Sequence, residues 1–214
     1  KMFPVLQSLS CPDILPEALY THLPVSPRLK KFSIYHMKLP FSFEERAVFK
    51  LDPIYETLLK HSSFSLNELD AVITKNVSKN IFQRLLSDPL QIKKLNLVLF
   101  STEPTLFHHM RDLDLESFEI EIHVEMNQEE FRIISDSILY MKNLQILILS
   151  FSFGPDKKNQ IILASAITKL PKLEAFGIYI MSESLPFISK LGKLKNLKKL
   201  RFESWRYDKF AGQS

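Results

Sequence analysis

The stretch Leu144 to Phe151, LQILILSF, decides how this chain is read. Leu147, Leu149 and Phe151 recur with a period of two, the spacing that places side chains on one face of a β-strand. Leu144 stands three positions ahead of Leu147, as a leucine leading into the strand. If the leucines are buried, Ile146, Ile148 and Ser150 point to the opposite face. A single strand with one apolar face is not stable alone, so the same figure is expected elsewhere in the chain.

It recurs. With other apolar residues admitted, the pattern L-x-x-L-x-L starts at Leu6 (Leu6, Leu9, Cys11) and Leu29 (Leu29, Phe32, Ile34). A weaker copy starts at Leu66 (Leu66, Leu69, Ala71). Clear copies follow at Ile92 (Ile92, Leu95, Leu97), Leu115 (Leu115, Phe118, Ile120), Leu144, Leu173 (Leu173, Phe176, Ile178) and Leu197 (Leu197, Leu200, Phe202). The steps between first positions are 23, 37, 26, 23, 29, 29 and 24 residues.

Steps of about 20–29 residues with this leucine spacing are those of a leucine-rich repeat. The chain resembles the leucine-rich repeat superfamily, and its steps are similar to those of the longer, ribonuclease-inhibitor-like branch. The resemblance implies an α/β fold: a horseshoe solenoid of about eight irregular repeats over residues 1–214, with parallel strands on the concave face and helices on the convex face. One departure is plain. The family places Asn or Cys two residues after the strand, where this chain has Met37, Phe100, His123, Ser152, Met181 and Trp205. The apolar alternation instead runs one step further, through Leu99, Ile122, Phe151 and Ile180. Longer strands with a poorly kept turn are expected.

Between the strands lie helical patterns. Asn127 to Met141 has an N-cap candidate in Asn127, acids Glu129 and Glu130 in its first turn, and a stripe of Phe131, Ile134, Ile138 and Met141. Asp156 to Leu170 suggests a similar design through Ile161, Ile162, Ala166 and Leu170. Pro16–Leu23, Ser78–Leu86, Thr102–Met110 and Ser182–Leu194 are also expected to be helical. Phe43–His61 should split at Asp52-Pro53, because Pro cannot continue a helix, and this insert accounts for the 37-residue step.

Composition sets outer limits. The 214 residues are 45% hydrophobic and 24% charged, as in an ordinary folded domain. Only four glycines are present, too few for a chain rich in phosphate-cradling loops, and no G-x-S-x-G or dinucleotide spacing occurs. The lone Cys11 fits a reducing compartment, so an intracellular, cytoplasmic location is expected. No run reaches the roughly 18 apolar residues of a membrane span. The chain opens on Lys1, and is expected to be a piece of a longer protein.

Chemistry is hard to find. The six histidines show no H-E-x-x-H spacing, and His108-His109 reads as a solvent-facing pair. Asp112, Asp114 and Glu116 lack the glycine of a calcium loop and read as an exposed helix-to-strand connection. Cys11 occupies a leucine position, where a small buried side chain is the usual role. No catalytic residues, metal ligands, cofactor or small-molecule substrate are expected, and the chain is read as a non-enzyme.

The residues between the leucines form the candidate binding surface. Strand alternation exposes Ser33, Tyr35, Asp70, Val72, Asn96 and Val98, then Glu119, Glu121, Ile146, Ile148 and Ser150, then Gly177, Tyr179, Arg201 and Glu203. Glu119 and Glu121 make an acidic rung. Ile146, Ile148, Ala175 and Tyr179 make an apolar patch of the kind that anchors a partner. Lys190, Lys193, Lys195, Lys198, Lys199 and Arg201 make a basic end followed by Phe202, Trp205 and Tyr207.

Two functions follow as expectations. The first is recognition of another protein on the concave face, through Tyr35, Asn96, Val98, Glu119, Glu121, Ile146, Ile148, Ser150 and Tyr179. The resemblance implies a sensor or substrate-recognition part of a larger protein, of the innate immune receptor or ubiquitin-ligase adaptor type. The alternative is a nucleic-acid- or ribosome-associated protein using the basic end.

Overall fold

The computed structural model describes residues 7–12, 29–35, 55–56, 66–74, 80, 83–84, 86, 92–101, 104–180 and 188–204. Among the described residues, eight strands lie in one sheet in chain order, and every neighbouring pair is parallel. They are β1 (Ser8–Pro12), β2 (Lys31–Tyr35), β3 (Glu68–Ile73), β4 (Lys94–Leu99), β5 (Ser117–Ile122), β6 (Ile146–Phe151), β7 (Ala175–Ile180) and β8 (Lys199–Ser204). Parallel neighbours need a crossover between them, and the helices supply several of these. They are α1 (Pro104–His109), α2 (Gln128–Tyr140), α3 (Lys157–Ile167) and the short α4 (Ile188–Leu191), with a 3₁₀ turn at Met110–Asp112. Each packs on the next, making a layer.

The registers follow the leucine alignment. One row runs Leu9, Phe32, Leu69, Leu95, Phe118, Leu147, Phe176, Leu200, and the next pairs Cys11 with Ile34 and then, with no β2–β3 pairing at that point, runs Ala71, Leu97, Ile120, Leu149, Ile178, Phe202. The leading residues Leu29, Leu66, Ile92, Leu115, Leu144 and Leu173 are each at most 2% exposed. Strands β3 to β6 extend to Ile73, Leu99, Ile122 and Phe151, all buried, as the longer alternation predicts.

Strand starts are built alike at all seven junctions. The carbonyl of the residue just before the strand accepts two consecutive N–H groups from the following strand: Glu116 O from Gln145 and Ile146, Gln145 O from Glu174 and Ala175, Glu174 O from Lys198 and Lys199. These bonds, with their counterparts at Gln7, Lys30, Asn67 and Lys93, measure 2.7 to 3.1 Å. They place side chains of the same face in straight rows.

The helices cover the leucine face. Phe131 of α2 meets Phe151 of β6 with ring centroids 5.5 Å apart. The expected stripe Phe131, Ile134, Ile138 and Met141 is buried. At its start Asn127 accepts from the Glu130 N–H at 3.0 Å while Glu130 accepts from the Asn127 N–H at 2.8 Å, a reciprocal cap that satisfies two helix-end donors.

In α3 the stripe differs from expectation. Ala166 and Leu170 are buried as expected, but Ile161 is 39% exposed and Ile162 only half-buried, and Leu163 and Ile167 are buried in their place. Asp156 caps this helix by accepting from Asn159 N–H. The helix phase then turns Asn159 and Gln160 inward, with Gln160 Nε2 bonded to Pro155 O at 2.9 Å.

The long insert between β2 and β3 leaves its mark on the sheet. Their pairing runs only from Lys31–Glu68 to Ser33–Asp70. Beyond it the buried Tyr55 hydroxyl donates to Val72 O at 2.8 Å and accepts from Val72 N–H at 3.0 Å. One phenol thus satisfies both peptide groups of Val72. Most of the expected helices before residue 92, and the segment around Ser182, lie outside the described residues, as do the side chains of Cys11, Tyr35 and Ile180. Among the described residues no helix is long and apolar enough to cross a membrane.

Candidate functional site

The face opposite the helices carries three rows. The first is Ser8, Lys31, Glu68, Lys94, Ser117, Ile146, Ala175, Lys199; the second Ser10, Ser33, Asp70, Asn96, Glu119, Ile148, Gly177, Arg201. The third is Pro12, Tyr35, Val72, Val98, Glu121, Ser150, Tyr179, Glu203, with no β2–β3 pairing at Tyr35 and Val72. Strand alternation therefore brings Asn96, Val98, Glu119, Glu121, Ile146, Ile148, Ser150 and Tyr179 onto one face.

Exposure corrects part of the reading. Ser33 is 7% exposed and Val72 1%, so these two positions are covered, while Lys31, Glu68 and Asp70 on the same strands stay accessible. Alternation fixes the side on which a residue points but says nothing of what covers it. Gly177 is also buried, because Ile148 and Tyr179 flank it: a Cβ there would lie 3.6 Å from Ile148 and 3.8 Å from Tyr179. The open part runs from Lys31, Glu68 and Asp70 on β2 and β3 to β8.

Its polar end is a network. Glu68 takes Lys31 at 2.9 Å and Lys94 at 2.7 Å. The Lys94 hydrogen bond and then that of Lys31 hold the Glu68 carboxyl below its ordinary range, and Glu68 in turn raises Lys31. Asn96 Nδ2 donates to Asp70 Oδ1 at 2.6 Å. Lys31, Glu68 and Lys94 all open their strands, and the registers set them side by side.

Glu119 behaves differently. Its side chain is exposed, yet the protein beside it reduces its hydration, and this partial burial pushes its carboxyl above the ordinary range, helped by Glu121 and then Asp70. Beside it across β5–β6 lies Ile148, half-buried, and one row over Ile146 is 41% exposed. An isoleucine of that exposure on a sheet face loses part of the roughly 1.5–3 kcal/mol that full burial of such a side chain contributes.

The basic end does not form one field. Lys190 lies on α4 and Lys193 and Lys195 in the turns that follow, while Lys199 and Arg201 are on the sheet face. Lys198 pairs with Glu174 at 3.0 Å. Arg201 is held by Glu203, with Nε donating to Oε1 at 2.6 Å, and lies 5.4 Å from the Tyr179 ring centroid. The Glu203 hydrogen bond raises the Arg201 guanidinium further above its ordinary value.

A second constellation sits where the strands end. Phe100, His123 and Ser152 continue the ladder through backbone bonds to Ile73 O, Leu99 O and Ile122 O at 2.8, 2.8 and 2.9 Å. Phe100 stacks on His123 with centroids 4.8 Å apart, Ser152 Oγ lies 2.8 Å from His123 Nδ1, and Glu121 Oε1 lies 2.8 Å from Nε2. These side chains follow one another just beyond the last paired residues of β4, β5 and β6. The Ser–His–Glu order invites comparison with a hydrolase. However, the Ser152 N–H is committed to Ile122 O, which removes one of the donors an oxyanion would use.

At the opposite end of the strands, Asp114 bonds Lys93 and Asn143, and Asn143 accepts from Lys172. Lys93 and then Asn143 hold the Asp114 carboxyl low. The Asp112–Glu116 segment is thus a polar connection tied to its neighbours. No protein-family profile matches this chain, and no curated protein does.

Proposed function

We propose that the chain is a leucine-rich-repeat-type solenoid, concave on its strand face, that binds another protein there without catalysing a reaction. The observation that carries this reading is the apolar strip of Ile146, Ile148 and Tyr179 on a sheet face opposite the helices. An exposed isoleucine and a half-buried one on the same strand, beside a tyrosine of the next, are the composition of an interface centre, with polar residues at its rim. Asn96, Val98, Glu119, Glu121 and Ser150 supply that rim. We place the protein inside the cell, as the recognition part of a larger chain, on the strength of its single cysteine and the resemblance.

The nucleic-acid reading is the weaker of the two. Arg201 and Lys198 already have carboxylate partners, and the acids Asp70, Glu119 and Glu121 on the same face would repel a phosphate backbone.

The test is affinity capture with the native chain and with a double Ile148→Asp, Tyr179→Asp variant. Loss of specific partners with an unchanged thermal transition supports the reading. Retention of every partner sinks it. A Lys198→Glu, Lys199→Glu variant that loses RNA or DNA binding with a steep salt dependence would favour the alternative.

A further inference from the structure

The carboxylates of the open face are matched, with one exception. Glu68 has two lysines, Asp70 the Asn96 amide, Glu121 the His123 ring and Glu203 the Arg201 guanidinium. Among the described residues Glu119 has no cation or donor, and its neighbours Glu121 and Asp70 add like charge. A carboxylate so placed is better satisfied by a cation brought from outside than by water alone.

What flanks it narrows the cation. Ile148 is its register partner, Ile146 stands exposed one row away, and Tyr179 lies beyond the buried Gly177, against which both Ile148 and Tyr179 pack. A lysine or arginine carries its charge on an aliphatic stem that lies well on such a surface. A neighbouring apolar side chain would rest on Ile146, which is 41% exposed. An inorganic cation would gain nothing from the isoleucines, and an anionic lipid or nucleic acid would meet the acids.

We propose that the open face binds a protein segment in which a lysine or arginine adjoins an apolar residue, the cation seated on Glu119 and the apolar side chain on Ile146, Ile148 and Tyr179. This rests on the protein-binding reading and names the chemistry of its partner. The surrounding acids tune approach by attracting a basic segment over a distance set by ionic strength. The paired Arg201 at the far side disfavours a second cation there and orients the segment, basic end toward β4 and β5.

The experiment selects a phage-displayed library of random dodecapeptides on the full chain, then measures one recovered peptide against variants. The expected result is enrichment of Lys or Arg next to an apolar residue. Affinity should then fall about tenfold or more on Glu119→Gln, with an unchanged circular dichroism spectrum and melting curve no lower than the native one. Recovered peptides that lack a basic residue, or that bind Glu119→Gln unchanged, overturn the cation while leaving the protein-binding reading intact if Ile148→Asp with Tyr179→Asp abolishes them. Peptides indifferent to that double variant, or no enrichment at all, overturn both.

Discussion

Replacing Tyr55 with Phe removes one oxygen and leaves the ring that fills the core. That oxygen carries two hydrogen bonds, donating to Val72 O and accepting from Val72 N–H, at a residue with no measurable exposure. Val72 is itself buried, so water cannot replace the phenol at either group. A buried backbone donor or acceptor left without a partner costs about 1–3 kcal/mol. Two such groups, with some local relaxation, give a loss of roughly 2–4 kcal/mol in unfolding free energy. For a chain of 214 residues, about 2–4 °C of Tm per kcal/mol turns this into a drop of roughly 5–15 °C. Urea unfolding measures the free energy, and amide hydrogen exchange reads the site directly, since the Val72 N–H should lose protection more than its neighbours on β4. A loss below about 0.5 kcal/mol, or unchanged exchange at Val72, would refute the claim that one phenol stands in for a strand at this position.

Three further outcomes follow from the same geometry. Leu149→Ala should cost about 2–5 kcal/mol while Ile148→Ala stays within about 1 kcal/mol, since alternate residues of β6 face opposite sides; equal losses would mean the strand faces are misassigned. Asn127→Ala should remove about 1 kcal/mol through the lost reciprocal cap, read by urea unfolding, and no loss would mean that the cap contributes nothing. The third concerns pH. The folded chain raises the Glu119 pKa, so it binds that proton more tightly than the unfolded chain does. Its contribution to stability therefore falls as pH rises from the ordinary value of 4.5 through the raised one. Glu68 is lowered, so its contribution is present above 4.5 and is lost as pH falls through the depressed value. In denaturant titrations Glu119→Gln should gain stability at about pH 7 and lose that gain in acid, and Glu68→Gln should do the reverse. Parallel pH profiles for the two variants would contradict both assignments.

How much of this was legible without coordinates differs by element. The spacing of Leu144, Leu147, Leu149 and Phe151 set the strand, its buried face and the register with every neighbour, because a period of two leaves one choice once one face is apolar. The cap at Asn127 and the stripe of α2 were equally plain. The phase of α3 was not: Ile161, Ile162 and Leu163 are consecutive, and the sequence offers no rule for which of three adjacent apolar residues faces in. The cap at Asp156 and the buried Gln160 amide make that choice. Tyr55 was invisible for a related reason. It lies 17 residues from Val72, and no local pattern announces a hydroxyl that bonds another strand's backbone. Alternation puts Asn96, Glu119 and Ile148 on the side of the sheet away from the helices, as the registers have them, but Ser33 and Val72 on that side are covered, which alternation cannot foresee. The basic cluster divides because neighbours in sequence from Lys190 to Arg201 are distributed over a helix, a turn and a strand.

Site-specific photocrosslinking in cells gives the most direct measure of where this protein meets its partner. Ile146 on the strand face and Ile161 on the helix face are 41% and 39% exposed, so a benzophenone side chain at either position samples its surroundings on similar terms. The account predicts covalent protein adducts from position 146, lost when Ile148 and Tyr179 are changed to Asp, and none of comparable yield from position 161. Adducts from position 161 alone, or from both positions alike, would contradict recognition through the strand face.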